Sequence, residues 1–167
     1  MLKEYLEGIK DLTPEKNELT HRPSLYNLLK NLKDNFNKEF KIEHEPNRDK
    51  QGGQPDFCVS FQGLNIGYIE NKRVGTDLRQ LLKAKKNDQI LKYLELNPNL
   101  MLTNYLDFVW VGKDENNEPL IKRKISVASL DELSKPIKPN SQTERDLIEF
   151  FKGFFNYEAA PITNAKD

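Results

Sequence analysis

The stretch 52–72, GGQPDFCVSFQGLNIGYIENK, constrains the fold of this chain more than any other. Two runs inside it, 57–61 (FCVSF) and 64–69 (LNIGYI), are rich in aromatic and β-branched residues. Gln62-Gly63 between them reads as a hairpin turn. Pro55-Asp56 heads the first run and Glu70-Asn71-Lys72 closes the second. In an antiparallel hairpin the start of one strand lies beside the end of the next, so Asp56 and Glu70 are expected at one edge of a sheet. The period of two puts Glu70 and Lys72 on one face and Asn71 on the other. Two carboxylates and an ammonium converging at a strand end make a small site for a hard cation with a positive charge beside it.

A chain of 167 residues fits one domain with a real core. Charged residues are 31 % and apolar ones 37 %, a polar globule rather than a disordered segment. No apolar run approaches the roughly 20 residues of a membrane span, and the opening MLKEYLEGIKDL lacks a secretory-leader pattern. The lone Cys58 excludes an internal disulfide and suits a reducing cytoplasm. With two histidines and one cysteine, structural zinc is not expected; His21 and His44 are read as structural. Net charge is zero, but between Lys72 and Lys92 seven Lys/Arg face only Asp77 and Asp88. Such a basic stripe beside an acidic site fits a polyanionic substrate, although a solvated helix face would look the same.

Along the chain, Thr13-Pro14-Glu15 reads as a helix start, with the helical pattern continuing to about residue 36 and Pro23 marking a kink or restart. Residues 40–44 alternate as a first strand, and 45–53 form a polar loop. The longest helix candidate is 77–96. Strands follow at 100–105, 107–112 and 120–127, then a Pro-rich linker at 135–140 and a last helix at 141–157. This order predicts an α/β fold, a central mixed β-sheet flanked by helices, with the chemistry at the ends of the central strands. Trp110 and the phenylalanines between 150 and 155 are expected in packing rather than as a base-stacking platform.

The spacing of Pro55-Asp56 and Glu70-Asn71-Lys72, both at strand ends and followed by a basic helix, resembles the signature of the PD-(D/E)XK nuclease superfamily. Gln89 and Tyr93 on that helix resemble its Q-x-x-x-Y element. Glu18, in ELTHRPSL, stands where many members carry an additional metal-linked glutamate. The pieces ELTHRPSLYNLL, GGQPDF, GYIENKRVGTDL, QILKYL and NLMLTNYLDFVW together look like the N-terminal nuclease domain of restriction-modification proteins. In those, of single-chain type I and type IIG style, the nuclease is fused ahead of an adenine-specific DNA methyltransferase. The resemblance implies a restriction-endonuclease-like core at 1–134, and a linker with a C-terminal helix packing on it at 135–157. Residues 158–167 would begin a linker to a missing methyltransferase region. It also implies double-stranded DNA as substrate and the methyltransferase and target-recognition regions as partners.

Phosphodiester hydrolysis needs a hard cation to polarise the phosphate and generate hydroxide near neutral pH. Mg²⁺, or Mn²⁺ in vitro, takes one or two protein carboxylates and keeps several waters. Asp56 and Glu70 would supply these, with Glu18 as a further ligand. Lys72 would stabilise charge developing on the phosphate, and Gln89 and Tyr93 would orient Lys72 or bind phosphate. Arg73, Lys83 and Lys86 are candidates for DNA-phosphate contacts. The bland alternatives are a turn acid at Asp56 and a same-face ion pair of little worth between Glu70 and Lys72. Two other classes stay open: a DNA-binding or docking module without turnover, and a protein-interaction domain built on the aromatic C-terminal helix.

Overall fold

The computed structural model describes residues 1–13, 15, 19–44, 54–83 and 88–158. Its helices are α1 (Leu2–Gly8), α2 (Arg22–Lys33), α3 (Leu78–Lys83), α4 (Asp88–Leu96), α5 (Leu130–Leu133) and α6 (Ser141–Phe155). Its strands are β1 (Phe40–His44), β2 (Phe57–Phe61), β3 (Leu64–Asn71), β4 (Leu100–Thr103), β5 (Asp107–Lys113) and β6 (Pro119–Ser126). The six strands form one sheet in sequence order, β1-β2-β3-β4-β5-β6. All neighbours are antiparallel except β3 and β4, which run parallel. The sheet is therefore mixed and flanked by helices, as the pattern of runs predicts.

The β2–β3 turn sets the register of the central hairpin. Gln62 (φ 52°) and Gly63 (φ 79°) are both left-handed, the backbone that a two-residue hairpin turn of matching twist requires. A parallel neighbour cannot be reached by a tight turn. The chain between β3 and β4 accordingly carries α3 and α4, which lie over one face of the sheet. There Leu78, Ile90, Tyr93 and Leu94 bury themselves against Leu100, Leu102, Val109 and Val111. The other face receives α1, α2 and α6 in a larger core, including Leu25, Leu29, Phe57, Val59, Ile69 and Met101.

Phe150, Phe151, Phe154 and Phe155 of α6 are all within this larger core, at most 1 % exposed. The aromatic face of α6 is thus occupied inside the chain, which removes the basis for reading that helix as an external interface. Asn99, fully buried, fastens α6 to the sheet. Its Nδ2 donates to the carbonyls of Ile66 and Phe154, both at 3.0 Å, and its Oδ1 accepts from Trp110 Nε1 at 2.7 Å.

One expectation needs correction. The first long helix does not start at Thr13: residue 13 is non-helical, residues 19–21 are turns, and α2 begins at Arg22 with Pro23 in its first turn. Proline lacks the N–H that a helix interior needs, and at a helix start none is needed. The stretch 77–96 is described as two helices, α3 and α4, with 84–87 outside the described residues. Helices α1 and α5 are additional. The first buries Leu2, Tyr5 and Leu6, and the second is fixed by a capping box between Ser129 and Glu132.

The approach of α6 to β3 depends on Gly67. A Cβ there would stand 2.6 Å from the Asn99 carbonyl oxygen and 3.0 Å from the Phe154 ring. Gly67→Ala should lose about 1–3 kcal/mol by overpacking, a fall in Tm of several degrees at roughly 2–4 °C per kcal/mol. Thermal unfolding at the wild-type Tm would contradict this close approach.

Candidate functional site

The register of the central hairpin pairs Phe57 with Ile69, so Asp56 and Glu70 are the next opposed positions beyond the last paired residues. Phe57 and Ile69 both enter the larger core. By alternation, positions 56 and 70 belong to the face that α3 and α4 cover, where Glu70 lies beside Leu102 of β4. Both carboxylates are withdrawn from solvent: Asp56 is 0 % and Glu70 2 % exposed. Lys72 continues beyond β3, its backbone N–H donating to the Thr103 carbonyl at 2.7 Å, and it is half-buried. Among the described residues its ammonium forms no ion pair, so the surface-pair alternative for Glu70 and Lys72 finds no contact in its favour.

Asp56 is more than a turn acid. Its Oδ2 accepts the Asn71 N–H at 2.7 Å, closing the edge of β3 where pairing with β2 stops. Its Oδ1 lies 2.9 Å from Nη2 of Arg22, at the first position of α2. Arg22 is itself only 5 % exposed. Taking an ionised carboxylate out of water costs several kcal/mol unless a counter-charge and hydrogen bonds replace the lost hydration. The guanidinium and the backbone N–H do that here, and they tie the start of β2 to the start of α2. No local signal marks Arg22 as this partner, although it lies in the ELTHRPSL segment that also holds Glu18. Two further buried atoms, Arg22 Nε and Asn71 Oδ1, have no hydrogen-bond partner among the described residues.

Tyr93 is fully buried on α4, and its hydroxyl donates to the Gln54 carbonyl at 2.9 Å. It therefore fastens the segment entering Asp56 to the helix layer. Gln89, one turn earlier on α4, is half-buried. Nearby, burial raises the Tyr68 hydroxyl above the usual phenol range, so it stays protonated at neutral pH. Arg73 and Lys83 are exposed, at the exit of β3 and the end of α3. Glu18 and Lys86 lie outside the described residues.

Among the described residues no three His, Cys, Asp or Glu gather as a ligand cluster. The opposed positions Asp56 and Glu70 are the two carboxylates that the register brings to the strand end; Mg²⁺ as a class needs few protein ligands and keeps its waters. No helix among the described residues is long and apolar enough to cross a membrane. Comparisons with protein-family models, with curated proteins and with solved structures give no match to this chain.

Removing Arg22 would strand the Asp56 carboxylate without its counter-charge. Arg22→Ala should therefore lose about 3–5 kcal/mol, and pairing it with Asp56→Asn, which discharges the orphan, should recover part of that loss. Urea unfolding of the two variants measures it. A loss below about 1 kcal/mol for Arg22→Ala would mean that the pair does not hold α2 to β2.

Proposed function

We propose that this chain is a metal-dependent endonuclease domain that hydrolyses DNA phosphodiester bonds, the nuclease portion of a restriction-modification enzyme. The observation that carries the reading is the opposition of two buried carboxylates, Asp56 and Glu70, at the end of the central hairpin with Lys72 two positions on. Asp56 and Glu70 would hold Mg²⁺, which when bound supplies a polarised phosphate and a hydroxide at neutral pH. The chain's own residues do the rest. The Asn71 N–H and Arg22 fix the Asp56 carboxylate before substrate arrives. Tyr93 holds the approach to β2. Lys72, carried by β3 and anchored through its backbone to Thr103, presents a compact positive charge to the phosphate oxygens as negative charge grows on them. Methyltransferase and target-recognition regions would supply the choice of site on duplex DNA.

A second reading draws on one observation: both oxygens of Asp56 already have partners within the chain. In that reading the domain holds DNA without cutting it, and Asp56 is a structural ion-pair partner. Metal binding separates the two. Titration with Mn²⁺ followed by electron paramagnetic resonance should show one bound ion that Glu70→Gln abolishes in a chain still folded by circular dichroism. The docking reading expects no such ion.

Cleavage should depend on Lys72 in rate rather than affinity. A charge that acts only as the phosphate is attacked is worth about 10²–10³ in turnover. Lys72→Ala is expected to keep fold, metal and DNA binding and to lose single-turnover cleavage at saturating protein by that factor. Lys72→Arg should rescue little, since a planar fork does not replace a compact ammonium. If Lys72→Ala weakens DNA affinity and keeps its saturated rate, the lysine anchors phosphate and takes no part in the chemistry.

A further inference from the structure

Past Lys72 the chain makes a tight turn. The Thr76 N–H donates to the Arg73 carbonyl at 3.1 Å, and Gly75 between them stands at φ 85°, a backbone that favours glycine. Two bonds bracket this segment, and both come from one place, the end of β4 and the connection that follows it. The Thr103 carbonyl accepts the Lys72 N–H at 2.7 Å, and at the far end the Thr76 carbonyl accepts from Asn104 Nδ2 at 3.0 Å. Asn104 is only 4 % exposed and uses its whole amide inside the chain. Its Oδ1 accepts the N–H groups of Leu106 at 3.2 Å and Asp107 at 2.8 Å, and its Nδ2 also donates to Asp107 Oδ2 at 3.2 Å. A buried amide with its oxygen and both hydrogens engaged is held in one orientation. The connection is strained as well. Tyr105, fully buried, stands at φ 79°, which an aromatic residue rarely adopts. Its N–H donates to Thr103 Oγ1 at 3.1 Å and its carbonyl accepts the Tyr5 hydroxyl at 2.6 Å. Such a conformation persists only where its surroundings over-determine it.

We infer that Asn104 is a positioning residue for Lys72: by tying the 73–76 turn to the rigid β4–β5 connection, it fixes the backbone that carries the lysine two positions past Glu70. The bond at the Lys72 N–H fixes a point, and the bond at the Thr76 carbonyl fixes the direction in which the chain leaves it. Asn104 itself touches no reacting atom in this account; it acts through the lysine. That Lys72 serves phosphodiester hydrolysis rests on the nuclease reading, whereas the hold of Asn104 on its segment rests on these bonds alone.

The test uses the full chain with Asn104→Asp, which keeps the shape and the accepting oxygen and removes the donor to Thr76. Asp107→Asn is added to avoid two facing carboxylates, and alone it is the control, since an amide there can still accept from Asn104 and donate to Ser126. In the double variant the Lys72 and Thr76 N–H groups should exchange with solvent at least about tenfold faster, with β1 and β2 unchanged. Single-turnover cleavage of duplex DNA with Mg²⁺ at saturating protein should fall about 10- to 100-fold at unchanged DNA affinity, the scale of a group misplaced by about 1 Å. In a Lys72→Ala background the same two changes should cost no further rate, because a lysine that is absent cannot be misplaced. Equal loss in both backgrounds makes Asn104 a structural residue only and overturns the proposal. So does wild-type exchange at Lys72 and Thr76, or full cleavage by the double variant. Should the double variant not fold, Gly75→Ala, whose Cβ meets nothing within 4 Å and strains only the backbone, loosens the tie from the turn's own side and is read the same way. A wild-type chain that never cuts, with faster exchange in the variant, rejects the nuclease reading and keeps Asn104 as the tie.

Discussion

A single buried carboxylate sets the terms for the rest of this molecule. Asp56 is fully removed from water, and a backbone N–H and a guanidinium stand where its hydration would be. One contact is local to the sheet and the other reaches a helix on the opposite layer. The consequence is mechanical as well as electrostatic: the start of β2, the end of β3 and the first turn of α2 meet at one charge. A carboxylate so held has little rotational freedom left to lose when a ligand arrives. That is the property a cation-binding group needs, and a purely structural ion pair has it too. The two roles therefore share one geometry and differ in what else reaches the oxygens.

The central hairpin was legible because its signals are local. A turn of Gln-Gly and two β-branched, aromatic runs fix the register, and the register brings Asp56 opposite Glu70. The strands and α6 were legible for the same reason. Arg22 was not, since nothing in a local pattern tells a buried arginine at the start of one helix from a solvated one, and its partner lies 34 residues away. Thr-Pro-Glu is a stronger local start signal than His-Arg-Pro, but α2 begins at the restart that Pro23 marks. The signals for α1 (Leu2, Tyr5, Leu6, Ile9 at helical spacing) and α5 (Ser129 to Glu132) are local too. The bond from the Tyr93 hydroxyl to the backbone before β2 is not, since 39 residues separate the two groups.

The balance of 26 basic and 26 acidic residues also misleads about the surface. Several acids accept from the chain's own backbone or hydroxyl donors: Asp56, buried at a strand edge, and, nearer the surface, Asp77 and Glu132 at helix starts and Asp114 in the turn before β6, where it accepts the N–H groups of Asn116 and Glu118. Lysines and arginines cannot fill those places, because they are donors only. The cations of β6, Lys122, Arg123 and Lys124, are exposed. Two of them lie over aromatic rings, Lys122 above Trp110 at 4.5 Å and Arg123 above Phe150 at 6.0 Å. A chain that is neutral in sum can thus present an uneven field to an approaching polyanion.

The strand order has a consequence for how the molecule assembles. Strands β1, β2 and β3 form one antiparallel run and β4, β5 and β6 another, and the hairpins β2–β3, β4–β5 and β5–β6 close through short connections at small entropic cost. Only the parallel pair β3–β4 joins them, and closing it requires the whole α3–α4 connection to be gathered in first. The bond from Lys72 N–H to the Thr103 carbonyl lies just past that seam. The position of Lys72 is therefore tied to the meeting of the two halves. A chain with only its first run formed would own both carboxylates and lack a fixed ammonium, so that on the nuclease reading the site is whole only when the sheet is.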